Sequence, residues 1–251
     1  MGQYRSDREI RGITDCCKIV AEVLNGLESC IKPGASTLEL DREAEKIIRK
    51  NGAFPAFKGY SIPGLPPYPA SICASINSCI VHGIPREDAI LQEGDIIGID
   101  VGVGKNGFFG DGARTYPVGM INQEASLLLE VTDIALNRGI EQAVEGGTVG
   151  HISAAIGDYV ESKGYYVADR LTGHGIGLEL HEEPMIPNKG IKGNGRRLTK
   201  GMTLAIEPMV NIGTNLVNEL GWEFFVADNS LSAHFEHTIL ITAQEPLILT
   251  R

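Results

Sequence analysis

The chain has 251 residues and a formal net charge of −10 at pH 7. That length buries a core without disulfide or metal staples. The acidic balance, with no run of Lys or Arg longer than two, lacks the basic face that nucleic acid requires, and no apolar stretch approaches a membrane span.

The first residues, Met1 to Gly12, are polar and charged, unlike a secretory signal. Met1 to Ser6 fits the loose myristoylation pattern, but one acyl chain without a polybasic helper anchors poorly. Five cysteines (Cys16, Cys17, Cys30, Cys73 and Cys79), odd in number and without a CxxC pair, read as reduced packing thiols of a cytoplasmic protein.

Residues 8–31 carry Ile10, Ile13, Cys17, Val20, Leu24 and Leu27 at helical spacing, which predicts a first amphipathic helix. Lys32-Pro33-Gly34 turns the chain into a second helix that stops at Asn51-Gly52. The pattern then repeats. A helix from about 124 runs to Glu145-Gly146-Gly147, and another, with Ile152, Ile156 and Val160, stops at Lys163-Gly164. Downstream of each pair, a glycine opens an apolar strand that reaches a carboxylate six residues later, Gly94 to Asp100 and Gly201 to Glu207. Phe109-Gly110-Asp111 matches His234-Phe235-Glu236, and His82-Gly83-Ile84-Pro85 matches His181-Glu182-Glu183-Pro184. The expectation is one α/β (α+β) catalytic domain over residues 1–251, made of pseudo-symmetric halves of roughly 8–120 and 121–251, because no linker composition separates them.

Between Asp100 and Asp111 lies Lys105-Asn106-Gly107, a hairpin signal. A loop centred between Lys105 and Asn106 opposes the two acids directly, and one centred a residue later sets them diagonally. Both registers put them on one face, where like charges need a cation between them unless both are simply solvated. The GxGxxG at Gly102–Gly107 is no dinucleotide fingerprint, because Phe108-Phe109-Gly110 is a poor helix start. In the second half, Pro208 predicts a change of ladder pairing just after Glu207, and a strand from Ser232 delivers Glu236 with His234 on its face and His237 on the other. Between Leu171 and Pro184, Gly173, Gly175 and Gly177 argue against a helix, so His174 and His181 are expected on extended, bent backbone. Four carboxylates and His174 make an oxygen-rich set suited to Mn, Fe(II), Co or Zn, with charge enough for two divalent ions.

In their order, Ser71–Asn77, His82–Pro85, Ile99-Asp100-Val101, Gly110-Asp111, Gly173–Gly177, His181–Pro184, Ile206–Val210 and Glu236-His237-Thr238 resemble the type I methionine aminopeptidases, of the fold nicknamed pita-bread, over nearly the whole chain. The resemblance implies pseudo-symmetric halves with a central antiparallel sheet covered by helices. It further implies a dinuclear site in which Asp100 ligates one metal, His174 and Glu207 the other, and Asp111 and Glu236 bridge. A metal-bridging water would attack the first peptide carbonyl, removing methionine from peptide and nascent-chain N-termini that carry a small second residue. Glu207 would shuttle the proton, His82 and His181 would bond the substrate backbone and the tetrahedral intermediate, and Cys73, Tyr60, Tyr68 and Trp222 would line the methionine pocket.

Ile62–Pro67 reads as an insertion relative to common bacterial members. Leu171 and Leu180 stand where bulkier residues are usual, Phe109 replaces a histidine and Gly112 a threonine, so pocket shape is expected to differ. The catalytic unit begins almost at once, without the zinc-binding or basic extension of some eukaryotic relatives, so no dedicated ribosome tether is expected; a transient ribosome contact and a monomer are the further expectations. The alternatives weighed are a proline-specific aminopeptidase, whose members usually carry a further N-terminal domain, and a non-catalytic binding protein on the same fold.

Overall fold

A computed structural model describes residues 5–251, so the first four residues of the myristoylation pattern, Met1 to Tyr4, lie outside the described residues. Four helices come as two pairs: α1 (Asp7–Glu28) with α2 (Thr37–Lys50), and α3 (Gln123–Glu141) with α4 (Val149–Ser162). Their starts are written in the sequence. Ser6 and Ser36 cap the Glu9 and Glu39 N–H groups while those glutamates return to the cap N–H, and Asn122 accepts from Ala125. At α4 the Thr148 N–H donates to His151 Nδ1 at 3.1 Å, an imidazole in the glutamate's place. α2 and α4 end where expected, at Gly52 and Gly164, whose φ of 66° and 80° side chains disfavour.

The first half supplies β1 (Phe54–Pro55), β2 (Cys73–Ile76), β3 (Cys79–Val81), β4 (Ile96–Lys105) and β5 (Phe108–Pro117). The second supplies β6 (Tyr166–Val167), β7 (Thr172–Gly175), β8 (Glu182–Pro187), β9 (Thr203–Ile206) and β10 (Met209–Asn211). It continues through β11 (Val217–Leu220), β12 (Glu223–Val226), β13 (Ser232–His234), β14 (His237–Leu240) and β15 (Leu247–Ile248). Every described ladder is antiparallel.

Each helix pair covers its own strands. Val20, Leu24, Leu40 and Ile48 pack on Ile97, Ile99 and Val101, and Leu128, Leu136, Ile152 and Ile156 pack on Leu204, Ile206 and Ile239. Each such side chain contributes about 1.5–3 kcal/mol of burial, so the strands of each half are covered on one face by their own helix pair and their other face is left for chemistry.

Candidate active site

The β4–β5 register settles the first alternative. Asp100 pairs with Ala113 and Asp111 with Gly102, so the loop centres one residue after the Lys105–Asn106 bond and the acids are diagonal on one face. The path then crosses the molecule strand by strand. Cys73 pairs with Asp100, and Ala113 exchanges backbone bonds with Glu236 at 2.9 and 3.4 Å. β9–β14 and β10–β13 keep one register, Ile206 opposite His237 and Met209 opposite His234, so Glu207 faces Glu236 across the break at Pro208 and Phe235. His174 pairs with Ala205, two residues before Glu207. Directly paired residues and those two apart share a face. Asp100, Asp111, His174, Glu207 and Glu236 therefore emerge together, and the ladder does change at Pro208. Glu236 itself sits between β13 and β14 rather than within a strand.

The glycines explain the bent segment. A Cβ on Gly173 would fall on the Ala205 carbonyl oxygen and one on Gly175 on that of Glu183, so only glycine lets the neighbouring strands pass this close. His82, directly after β3, takes a left-handed φ of 59°, strained for a non-glycine residue, and the next residue is held to β2 by the Ala74 N–H on the Gly83 carbonyl at 2.8 Å and the Gly83 N–H on Ser75 Oγ at 3.1 Å.

Ligand atoms of Asp100, Asp111 and Glu236 lie within 4.8 Å of one another, as do those of His174, Glu207 and Glu236 and those of Asp111, His174 and His181. Burial, then the charges of Asp100 and Glu207, pushes the Asp111 carboxyl well above its ordinary range. Burial and Asp111 do the same to Glu236, and burial alone to Glu207. Burial raises Asp100 to about 6, with the nearby His234 opposing and Glu207 adding.

Asp100 Oδ1 and Glu236 Oε1 are buried with no hydrogen-bond partner. Buried acceptors without donors, beside three more ligating groups, fit divalent cations. His174 is prepared as a ligand. Its Nδ1–H donates to the Gly175 carbonyl at 2.9 Å, which leaves the Nε2 lone pair on the carboxylate side, 3.4 Å from Glu207 Oε1. Burial, helped by His181, lowers its pKa to about 3, so the ring is neutral.

Above this floor is a cavity of about 320 Å³ walled by Phe57, Tyr60, Ile62, Tyr68, Cys73, His82, His181 and Trp222. Tyr68 meets Trp222 edge-on at 5.5 Å, and its hydroxyl donates to the Gly83 carbonyl at 2.9 Å. Burial, then the Asp100 charge, raises the Cys73 thiol, so it stays protonated. Tyr60 reaches His181, with its hydroxyl 2.9 Å from Nδ1, and the His181 ring meets that of His174 at 4.5 Å. Burial lowers His82 to about 4, and its Nδ1 is buried and unpartnered.

Every site residue read from the sequence thus reaches this cavity or its floor. Leu171 does not: it packs with Ile80, Val81, Ala168 and Met209, whereas Leu180 and Phe109 join the apolar cluster around the cavity.

Other contributors have no role assigned from the sequence. Asp41 Oδ1 accepts the Ser71 and Ile72 N–H groups at 2.7 and 3.1 Å, fixing the strand that carries Cys73, though it reads as one more surface acid of α2. The Glu182 carboxylate bonds the Leu178 and Glu179 N–H groups at 2.7 and 3.0 Å and pairs with buried Arg5, which ties down the loop bearing His181. His234 Nε2 lies 3.5 Å from Glu207 Oε2. Its place two residues before Glu236 was the available signal.

No helix among the described residues is long and apolar enough to cross a membrane. Residues 11–243 match the model of metallopeptidase family M24. The chain is 47% identical over 248 residues to a methionine aminopeptidase of Clostridium acetobutylicum, covering 98% of this chain and 97% of that one. It superposes with a TM-score of 0.96 and 40% identity on the crystal structure of a methionine aminopeptidase from Thermotoga maritima, over 100% of both chains. A prolidase from Pyrococcus furiosus gives a TM-score of 0.81 at 25% identity, and the match spans 65% of that chain. These neighbours share the pita-bread fold, and the chain belongs to metallopeptidase family M24.

Proposed function

We propose that this chain is a methionine aminopeptidase that removes the N-terminal methionine from peptides and nascent proteins whose second residue is small. The observation that carries the reading is the row of five ligand-type side chains brought to one sheet face beneath an apolar-walled cavity. The near full-length likeness to methionine aminopeptidases supports it, while the prolidase match leaves about a third of that protein's length uncovered.

Asp100, Asp111, His174, Glu207 and Glu236 would hold two divalent cations, Mn, Fe(II), Co or Zn. When bound, the cations supply Lewis acidity for the first peptide carbonyl and a water acidic enough to attack it near neutral pH. The Glu207 carboxylate would take up the proton released in the attack and pass it to the departing amine.

His82 and His181, both neutral, donate to the substrate backbone and to the oxygen that gains charge during attack. Tyr60 orients His181 by donating to Nδ1, which leaves Nε2–H for the substrate. The neutral Cys73 thiol, Tyr68, Tyr60 and Trp222 give a soft, dry wall suited to a thioether. Both halves contribute ligands, so residues 1–251 act as one catalytic unit and one chain suffices. The working place is the cytoplasm, in transient contact with ribosomes as nascent chains emerge.

The test is hydrolysis of Met-Ala-Ser and Ala-Pro-Ala by metal-stripped protein with Mn, Co, Fe(II) or Zn added back. Metal-dependent release of methionine, with the proline peptide intact, is expected. Cleavage of Ala-Pro-Ala alone would move the chain to proline-specific hydrolysis, and silence with every metal would favour a binding role.

A further inference from the structure

The segment Ser61–Pro67 has no part in the chemistry above, yet its Ile62 lines the cavity. Its neck is fixed by backbone bonds, Tyr68 N–H to the Tyr60 carbonyl and Gly59 N–H to the Tyr68 carbonyl, both at 2.8 Å. The two residues of that neck are already cavity walls, Tyr60 on His181 and Tyr68 edge-on to Trp222. Between them, Gly64 turns the chain at a φ of 92°.

Three further contacts bring the loop to the pocket. Ile62 lines the cavity at its mouth, Leu65 packs on the cluster formed by Tyr68, Cys73 and Trp222, and the Trp222 indole N–H donates to the Pro66 carbonyl at 2.8 Å. Trp222 comes from the second half of the chain and stands beside Tyr60 and Tyr68, so this bond fastens the loop to a wall from a distant segment. The composition suits that position. Pro63, Pro66 and Pro67 have no backbone N–H, and no residue of the loop is charged, so it can face an apolar pocket with few donors left unsatisfied.

We propose that the Ser61–Pro67 loop, fastened at Pro66 to Trp222 and presenting Ile62 to the cavity, is a specificity element that narrows the side-chain pocket to unbranched residues, methionine and norleucine, against leucine and phenylalanine. This rests on the methionine aminopeptidase reading and goes beyond it by assigning the selection to a particular wall. A wall held in place rejects a branch or a ring at contact, whereas a wall that can swing away yields to it. Differences of a methylene or a branch in such a pocket change kcat/KM by roughly 10- to 200-fold, so the loss of the wall is measurable.

The experiment compares kcat/KM for Met-Ala-Ser, norleucine-Ala-Ser, Leu-Ala-Ser and Phe-Ala-Ser across the Mn-loaded wild type, Ile62→Ala, Trp222→Phe and a variant with residues 62–67 replaced by two glycines, which keeps the neck bonds. Thermal unfolding of each variant is followed in parallel. In the shortened variant the Leu/Met and Phe/Met ratios are expected to rise about fivefold or more, and the two point variants should move the same way by about twofold or more. Ratios within twofold of wild type in a folded shortened variant would overturn the proposal. Should that variant fail to fold, unchanged ratios in both Ile62→Ala and Trp222→Phe would overturn it. A wild type that releases methionine from no peptide would instead overturn the underlying reading, and this inference with it.

Discussion

Replacing Asp100 by asparagine should make the metal-free protein more stable. Burial is the main reason its carboxyl titrates at about 6 in the folded chain, against an ordinary 3.8. An acid whose folded pKa is raised destabilises the fold when it ionises. The penalty is absent well below 3.8, grows between 3.8 and 6, and is complete above. At 1.36 kcal/mol per unit, that is on the order of 3 kcal/mol at pH 7.

For a chain of this length each kcal/mol moves Tm by about 2–4 °C, so EDTA-treated Asp100→Asn should melt roughly 6–12 °C above EDTA-treated wild type at pH 7. At pH 4 most of the difference should vanish. Adding Mn(II) at pH 7 should reverse the order, because the wild type gains a bound ion that neutralises the cluster and the variant loses a ligand. Circular dichroism melts at both pH values, with and without metal, provide the check. A metal-free variant no more stable than wild type at pH 7 would refute the argument that the acids are held together at a cost which cations relieve.

Asp111→Ala should abolish hydrolysis while the protein still folds, because Asp111 ligand atoms belong to two of the three convergent groups. Near-normal turnover at full metal occupancy in the purified variant would contradict its role. Tyr60→Phe should lower kcat/KM about fivefold to tenfold, the worth of roughly one hydrogen bond to His181, and equal kinetics for the two proteins would remove Tyr60 from the machinery. Asp41→Ala leaves the Ser71 and Ile72 N–H groups without their acceptor, at a cost of about 2–4 kcal/mol in urea denaturation; a loss below about 0.5 kcal/mol would mean that water replaces the carboxylate.

Much of the fold was legible because local rules and tertiary packing agree. The serine-to-glutamate spacings at Ser6 and Ser36, the glycine stops at Gly52 and Gly164, and the apolar periodicity of α1 each specify what forms. The candidate metal ligands were legible for a related reason: both turn centres open to the hairpin put Asp100 and Asp111 on one face, and the repeat marked Glu207 and Glu236 as their counterparts in the second half. The hairpin register itself was not, because Lys105-Asn106-Gly107 admits two turn centres and only the full ladder chooses between them.

The roles of Asp41, Arg5 and Glu182 were not legible since their partners are backbone groups or residues far away in the chain, and nothing in a helix's own pattern marks one acid as a cap for a distant strand. The same holds for Leu171, whose neighbours come from β3 and β10, and for the bond from Trp222 to Pro66.

The most direct test of the central claim uses whole proteins as substrates. Two versions of one small protein, beginning Met-Ala and Met-Lys, are incubated with the Mn-loaded chain and weighed by intact-mass spectrometry. The account predicts that the Met-Ala version loses one methionine residue and the Met-Lys version keeps it, with EDTA preventing the loss. No loss from Met-Ala, or equal loss from both, would contradict it.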